Sequence, residues 1–232
     1  MGISVIIPVA EEDEAWKDLL PCLRTLSKED EIILVSKASL SEELGSEAKR
    51  VGISCATHWA PSDVGRAKQL NTGARWATCD FFWFLHCDSK VDAAPIEKLK
   101  VAIGHRPRSI HFFDLKFMGD GPWLTVSNGY GAWLRSHFLR LPFGDQGYCM
   151  HREVFTRLGG FCEAAPYGED HLLIWKAHQN RVKLGCVRAP IYTSARRYRS
   201  QGWLKTTAKH LALTVRQATP ELVRLIRGRV PL

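Results

Sequence analysis

Phe81-Phe82-Trp83-Phe84-Leu85 runs without a polar side chain and stops at His86-Cys87-Asp88-Ser89. A strand buried on both faces reads as such a continuous apolar run. In open α/β sheets the residues that follow it lie at the carboxyl edge, where ligands bind. The switch from aromatic run to carboxylate therefore predicts a parallel strand over residues 80–85 that delivers Asp88 to a site.

The same reading extends outward. Residues 3–9, 31–36 and 52–57 form further apolar strand segments. Between them, Trp16, Leu19, Leu20, Leu23 and Leu26 recur at helical spacing behind the acidic residues 11–13, which are expected to open that helix at its positive end. Residues 41–50, 66–76 and 95–103 supply the other helices, with Pro95 at a permitted first-turn position. Strand–helix alternation of this kind predicts a parallel sheet covered on both faces. The second half is less regular. Strands are expected over 109–118, 148–151 and 182–187, and helices over 123–139, 153–158 and 169–179. A terminal helical pair, 203–215 and 221–226, is expected to break at Pro220.

The bulk composition, 45% hydrophobic and 24% charged over 232 residues, is that of a globular chain able to bury a large core. Net charge is +8, and the excess lies late, from Arg188 to Arg229. Such a field attracts phosphates, nucleic acid or anionic membranes, and a merely solvated basic face fits most of these residues equally. The seven cysteines are odd in number and form no CxxC pair, which argues against a disulfide framework or zinc site and for a reducing cytoplasm. Met1-Gly2 leads straight into the first strand with no basic region before it, so no secretory leader is expected. No apolar run approaches the ~20 residues of a membrane span.

Five clusters carry chemistry. Asp88 is a hard oxygen ligand suited to a divalent cation on a diphosphate; the plain alternative is a turn cap, with His86 packed beside it. Arg66 and Lys68 open a helix whose first turn attracts anions, and Arg66 adds a fork suited to phosphate; the alternative is a solvated basic face. Gly73 and Ala74 in the same helix permit close packing on the sheet. Gly144-Asp145-Gln146-Gly147 suits a tight loop against a ligand or an ordinary turn. Glu169 and Asp170 start a helix, either as complements to its dipole or with Asp170 as a general base beside a hydroxyl. Arg196 and Arg197 either neutralise a leaving phosphate or lie on the surface.

In this order, with Ile3-Ser4-Val5-Ile6-Ile7-Pro8-Val9 at the start and Leu158-Gly159-Gly160-Phe161 before Glu169, these motifs resemble family-2 glycosyltransferases to about residue 207. More narrowly, the chain resembles a bacterial subfamily associated with radical-SAM and selenodomain proteins, of the arsenosugar-biosynthesis type. The resemblance implies an α/β GT-A fold: a Rossmann-like, mostly parallel central sheet flanked by helices. It implies one domain over 1–199, with a nucleotide-binding half over about 1–105 and an acceptor half over about 106–199, followed by a helical extension over 200–232. It also implies a nucleotide-diphosphate-sugar donor with Mg2+ or Mn2+ on its diphosphate, and inverting transfer to an acceptor hydroxyl. By position, Asp88 matches the metal-binding aspartate and Asp170 the catalytic base. Asp145, Gln146 and Glu169 match the acceptor side. Pro8, Glu11 and Glu12 match the first nucleotide loop, and Arg66, Arg196 and Arg197 the donor side.

Two departures stand out. Ala10 replaces an asparagine before the paired glutamates, and Ser36-Lys37-Ala38-Ser39 replaces a loop whose aspartate contacts the nucleoside. The rival readings are accordingly a degenerate, non-catalytic nucleotide-sugar-binding protein and a nucleotidyltransferase, which would release pyrophosphate. The acceptor is expected to be a small molecule or lipid-linked, with no nucleic-acid partner. A cytoplasmic protein is expected. The basic C-terminal helices, with Trp203, Leu204, Leu211 and Leu213, either pack on the domain or touch anionic lipid at the inner face of the membrane.

Overall fold

The computed structural model describes residues 1–38 and 41–228. Ser39 of the altered loop and Arg229 of the basic tail lie outside the described residues.

Eight strands form one sheet. In chain order they are β1 (Ile3–Pro8), β2 (Glu31–Ser36), β3 (Ala56–Pro61), β4 (Phe81–Phe84), β5 (Ser89–Lys90), β6 (Ile110–Phe117), β7 (Tyr148–His151) and β8 (Leu184–Thr193). Their spatial order is β3-β2-β1-β4-β7-β6-β8-β5. The first four run parallel, with Val5 beside Ile32 and Trp83. The antiparallel β7 joins β4 to β6, which runs parallel to β8.

Side chains alternate across the sheet because successive Cβ atoms point to opposite faces. Ile3, Val5, Ile7, Phe81, Trp83 and Leu85 face one core layer with α1 (Trp16–Leu19) and α4 (Ala93–His105). Ile6, Phe82 and Phe84 face the other, with α3 (Arg66–Trp76), α6 (Arg152–Arg157) and α7 (Glu169–Gln179). The remaining helices are α2 (Ser41–Val51), α5 (Thr125–His137), α8 (Arg196–Gln201) and α9 (Trp203–Ile226).

The structure corrects several expected boundaries. Residues 11–13 do not open a helix. They form a turn in which Glu12 takes the left-handed region at φ 62, and α1 begins only at Trp16 before tightening into a 3-10 turn at Leu20–Leu23 that contains Pro21. The third strand starts four residues later than expected, because β3 is a sheet edge with a mixed burial pattern rather than an apolar run. β8 extends to Thr193, and α8 follows it. Helix α9 runs unbroken through Pro220. The proline deprives the Arg216 carbonyl of its donor, but both residues are exposed to water. On either side of it Gln217 and Glu221 are bonded to α7, through His171 (2.7 Å) and Gln179 (2.9 Å).

One connection positions the chemistry. After β4 the chain passes through His86, Cys87 and Asp88 and immediately pairs Ser89 and Lys90 with Thr193 and Tyr192 of β8. The carboxyl end of β4 is thereby stitched to the carboxyl end of β8, just ahead of Arg196 and Arg197.

Candidate active site

A cleft of about 750 Å3 opens at the carboxyl edge of the sheet. Asp88 lines it from the end of β4, and Asp170 lines it from the first turn of α7. Pro8, Glu11, Arg66, Asp145, Arg196 and Arg197 share the same walls. The other three predicted site residues do not line it. Gln146 is fully buried: its Nε2 donates to the Phe113 carbonyl at 2.9 Å, while its Oε1 accepts from Ser136 Oγ at 2.8 Å and the Phe143 N–H at 3.1 Å. That bonding makes it the anchor of the 144–147 turn. Glu169 is buried behind Arg66, and Glu12 lines a neighbouring hollow of about 270 Å3 with Trp16, Trp59 and Ser36.

The centre of the site is Arg66, the first residue of α3. Its guanidinium bonds Glu169 through Nε, lies 3.6 Å from Asp170 Oδ1 through Nη2, and meets His86 Nε2 at 3.3 Å through Nη1. Burial together with this cation depresses the His86 pKa to about 3, so the imidazole is neutral. Burial disfavours the charged form of Asp170. The Arg66 charge and the Gly144 N–H, which donates to Oδ2 at 2.5 Å, outweigh it and hold the pKa below the ordinary carboxylate value. An acid that merely complemented a helix dipole would be solvated, whereas Asp170 and Glu169 are both buried.

The other carboxylates are electrostatically unsatisfied. Burial raises the Asp145 pKa to about 6, with Asp170 and Asp88 adding repulsion against the Arg135 charge, and Asp145 Oδ1 is buried with no hydrogen-bond partner. Burial also raises the pKa of Asp88, and Asp13 adds to the rise against Arg196 and Arg197. Asp13 is a site residue that the sequence reading passed over as part of a helix start. Its Oδ2 lies 3.4 Å from Cys87 Sγ and 3.9 Å from Arg196. The local signal was present in the Glu11-Glu12-Asp13 run, in which Glu11 and Asp13 line the cleft on either side of the left-handed Glu12.

The far wall comes from α9. Gln217 donates to the Tyr167 carbonyl at 2.9 Å and contacts His171 Nδ1 at 2.7 Å. Because the Trp175 indole N–H donates to His171 Nε2 at 2.9 Å, the His171 proton sits on Nδ1 and points to Gln217. This chain of bonds fixes the turn at Gly168, in the left-handed region at φ 63, just before Glu169. The Ser36–Ala38 loop is closed by Trp59, whose indole donates to Ser36 Oγ at 3.0 Å and to the Ala38 carbonyl at 2.6 Å. A separate grouping of Asp114, His137 and Cys186 lies within metal-ligand spacing under α5, outside the cleft.

Residues 4–161 match the family model for glycosyl transferase family 2. No curated protein matches the sequence. Among solved structures, the chain resembles the mannosyltransferase PcManGT from Pyrobaculum calidifontis in complex with GDP-Man and Mn2+, with a TM-score of 0.68 at 16% identity over 98% of this chain and 68% of that one. It also resembles S. aureus TarS 1-349 in complex with UDP-GlcNAc, with a TM-score of 0.62 at 20% identity over 84% of this chain and 58% of that one. Against S. aureus TarS the same 84% of this chain spans 37% of the other. These likenesses identify the architecture as GT-A.

Proposed function

Because the chain belongs to glycosyl transferase family 2, we propose that it transfers a sugar from a nucleotide-diphosphate-sugar to an acceptor hydroxyl, with inversion. The observation that carries this reading is the convergence of Asp88 and Asp170 on one cleft. Inverting displacement needs one group at the leaving phosphate and another at the attacking hydroxyl, and a single hollow holds both.

A divalent cation fits the donor set. Asp88 offers hard oxygen on the cleft wall, and burial together with the Asp13 charge raises its pKa, a penalty that a cation would relieve. Asp88 would hold Mg2+ or Mn2+, which when bound neutralises charge on the diphosphate. The remaining roles fall to the chain. Pro8, Glu11 and Glu12 border the nucleoside end, where the smaller hollow adjoins the cleft. Arg196 and Arg197 face the leaving diphosphate. Asp170 accepts the acceptor's proton at a carboxylate oxygen as the new C–O bond forms and the bond to the diphosphate breaks. Arg66 orients that carboxylate and keeps it ionised, and Asp145 lies on the acceptor side.

The acceptor hydroxyl belongs to a small molecule or a lipid-linked carrier. We place the protein in the bacterial cytoplasm, within the radical-SAM-associated subfamily of its family; its seven free cysteines suit a reducing compartment. The Trp59-closed 36–38 loop favours one rival, nucleotide-sugar binding without turnover. Both readings are tested by Asp170→Asn with a thermal-shift screen of UDP-, GDP- and dTDP-sugars with and without Mn2+. A donor should raise the melting temperature of wild type and variant alike, and turnover should fall by about 10²- to 10⁴-fold in the variant. Unchanged turnover would discard the base, and a wild type that binds donor without releasing nucleoside diphosphate would establish the rival.

A further inference from the structure

Helices α5 and α9 are inside out. A surface helix normally turns its apolar stripe to the core and its polar side to water. In α5 the buried residues are Thr125, Ala132 and Ser136, whereas Tyr130 is 72% exposed and the flanking Trp123 and Phe138 are 80% and 68% exposed. In α9 the buried residues are Thr206 and Glu221, whereas Leu211 is 64% and Ile226 is 76% exposed. Most of the exposed large apolar side chains among the described residues lie on these two helices and their flanks. The helices are tied together, since Asn128 Nδ2 donates to Thr207 Oγ1 at 3.1 Å and Trp203 Nε1 donates to Asn128 Oδ1 at 3.0 Å.

Charge says what covers this surface. No aspartate or glutamate occurs between Asp120 and Asp145, and Glu221 is the single acid in residues 171–232. Glu221 is itself buried, bonded to Gln179 and to Arg224. Lys205, Lys209 and Arg216 are exposed on α9, and Arg227 is exposed just past its end. A second copy of the chain would set this basic face against its own like charge. Apolar side chains with tryptophan and tyrosine, rimmed by lysine and arginine, match a bilayer interface carrying anionic headgroups.

We propose that the α5–α9 face docks on an anionic lipid surface. The inner side of α9 supplies His210, Leu213, Thr214 and Gln217 to the cleft. Docking therefore brings the cleft to the headgroup region and makes the acceptor a hydroxyl borne on a membrane amphiphile. The docking rests on the surface itself; only the acceptor assignment rests on the glycosyltransferase reading.

The test is co-sedimentation of the full chain with phosphatidylcholine vesicles with and without phosphatidylglycerol. Two variants accompany it: Trp123→Ser/Tyr130→Ser/Leu211→Ser, and Lys205→Glu/Lys209→Glu. All five positions are exposed and outside the cleft, and a cooperative melting transition near the wild-type temperature would show that the variants fold. The expected result is binding to the anionic vesicles, reduced about tenfold or more in each variant, with weak binding to neutral vesicles. No binding, equal binding to both vesicle types, or a wild-type dimer that the serine variant makes monomeric would overturn the proposal. Vesicle binding without any nucleotide-sugar shift would leave the docking standing and remove the assigned acceptor.

Discussion

Arg66 serves Glu169, Asp170 and His86 with one guanidinium, and its charge lowers the pKa values of Asp170 and His86. The proposed base, Asp170, would act only when ionised, and its pKa is held low against burial chiefly by Arg66. In Arg66→Gln the Asp170 pKa should rise, so the acidic limb of kcat/KM against pH should move to higher pH; a pH–rate profile of the two proteins checks this. The reverse shift, or none, would remove Arg66 from control of the base. The residue types at this centre were legible in the sequence: an arginine opening a helix, an acid pair opening another. Their meeting was not, because Arg66 and Glu169 are 103 residues apart and nothing local distinguishes an acid on a dipole from an acid on a cation.

At the level of elements, α3 decides how tightly the site is built. Gln69 ties it to β1 and β2 by donating to the Val9 and Val35 carbonyls at 2.8 and 3.1 Å. One turn later, a Cβ placed on Gly73 would collide with Ile6 and press on Val35. Gly73→Ala should therefore destabilise the fold by about 1–3 kcal/mol, read as a lower midpoint in urea unfolding, although alanine is the better helix former. This close packing was legible from the small residues of the helix, as were the central strands, whose burial on both faces leaves an unbroken apolar signature. Where one face meets water the signature fades. The edge strand β3 was placed four residues early, from residue 52, and the apolar residues of the C-terminal helices fitted core packing and lipid contact alike until their exposure was known.

Across the whole molecule, the end of the sheet opposite the cleft is held by two buried carboxylates. Asp30 accepts from the Ile3 N–H at 3.0 Å, the Ser27 N–H at 2.7 Å and Lys100 at 2.8 Å. Glu31 accepts from Ser4 Oγ and the Thr78 N–H, each at 2.6 Å. Burial opposes both charges, but these donors outweigh it and depress both pKa values. A depressed folded-state pKa contributes stability above the unfolded value, near 3.8 for Asp30, and that stability is lost as pH falls through the folded value. Asp30→Asn should cost about 2 kcal/mol at neutral pH, and the gap to wild type should close below about pH 4, which urea titrations across pH would measure. The sheet these carboxylates anchor is continuous from β3 to β5, and Ser89 and Lys90 lock its two ends of chemistry together. A hydrogen-bonded ladder cannot bend like a pair of jaws. If the chain turns over as proposed, release of the nucleoside diphosphate would fall to the pieces that stand clear of the sheet, the 10–15 turn and α9, so a cross-link between α9 and the 165–168 segment should slow release while leaving the bond-making step intact.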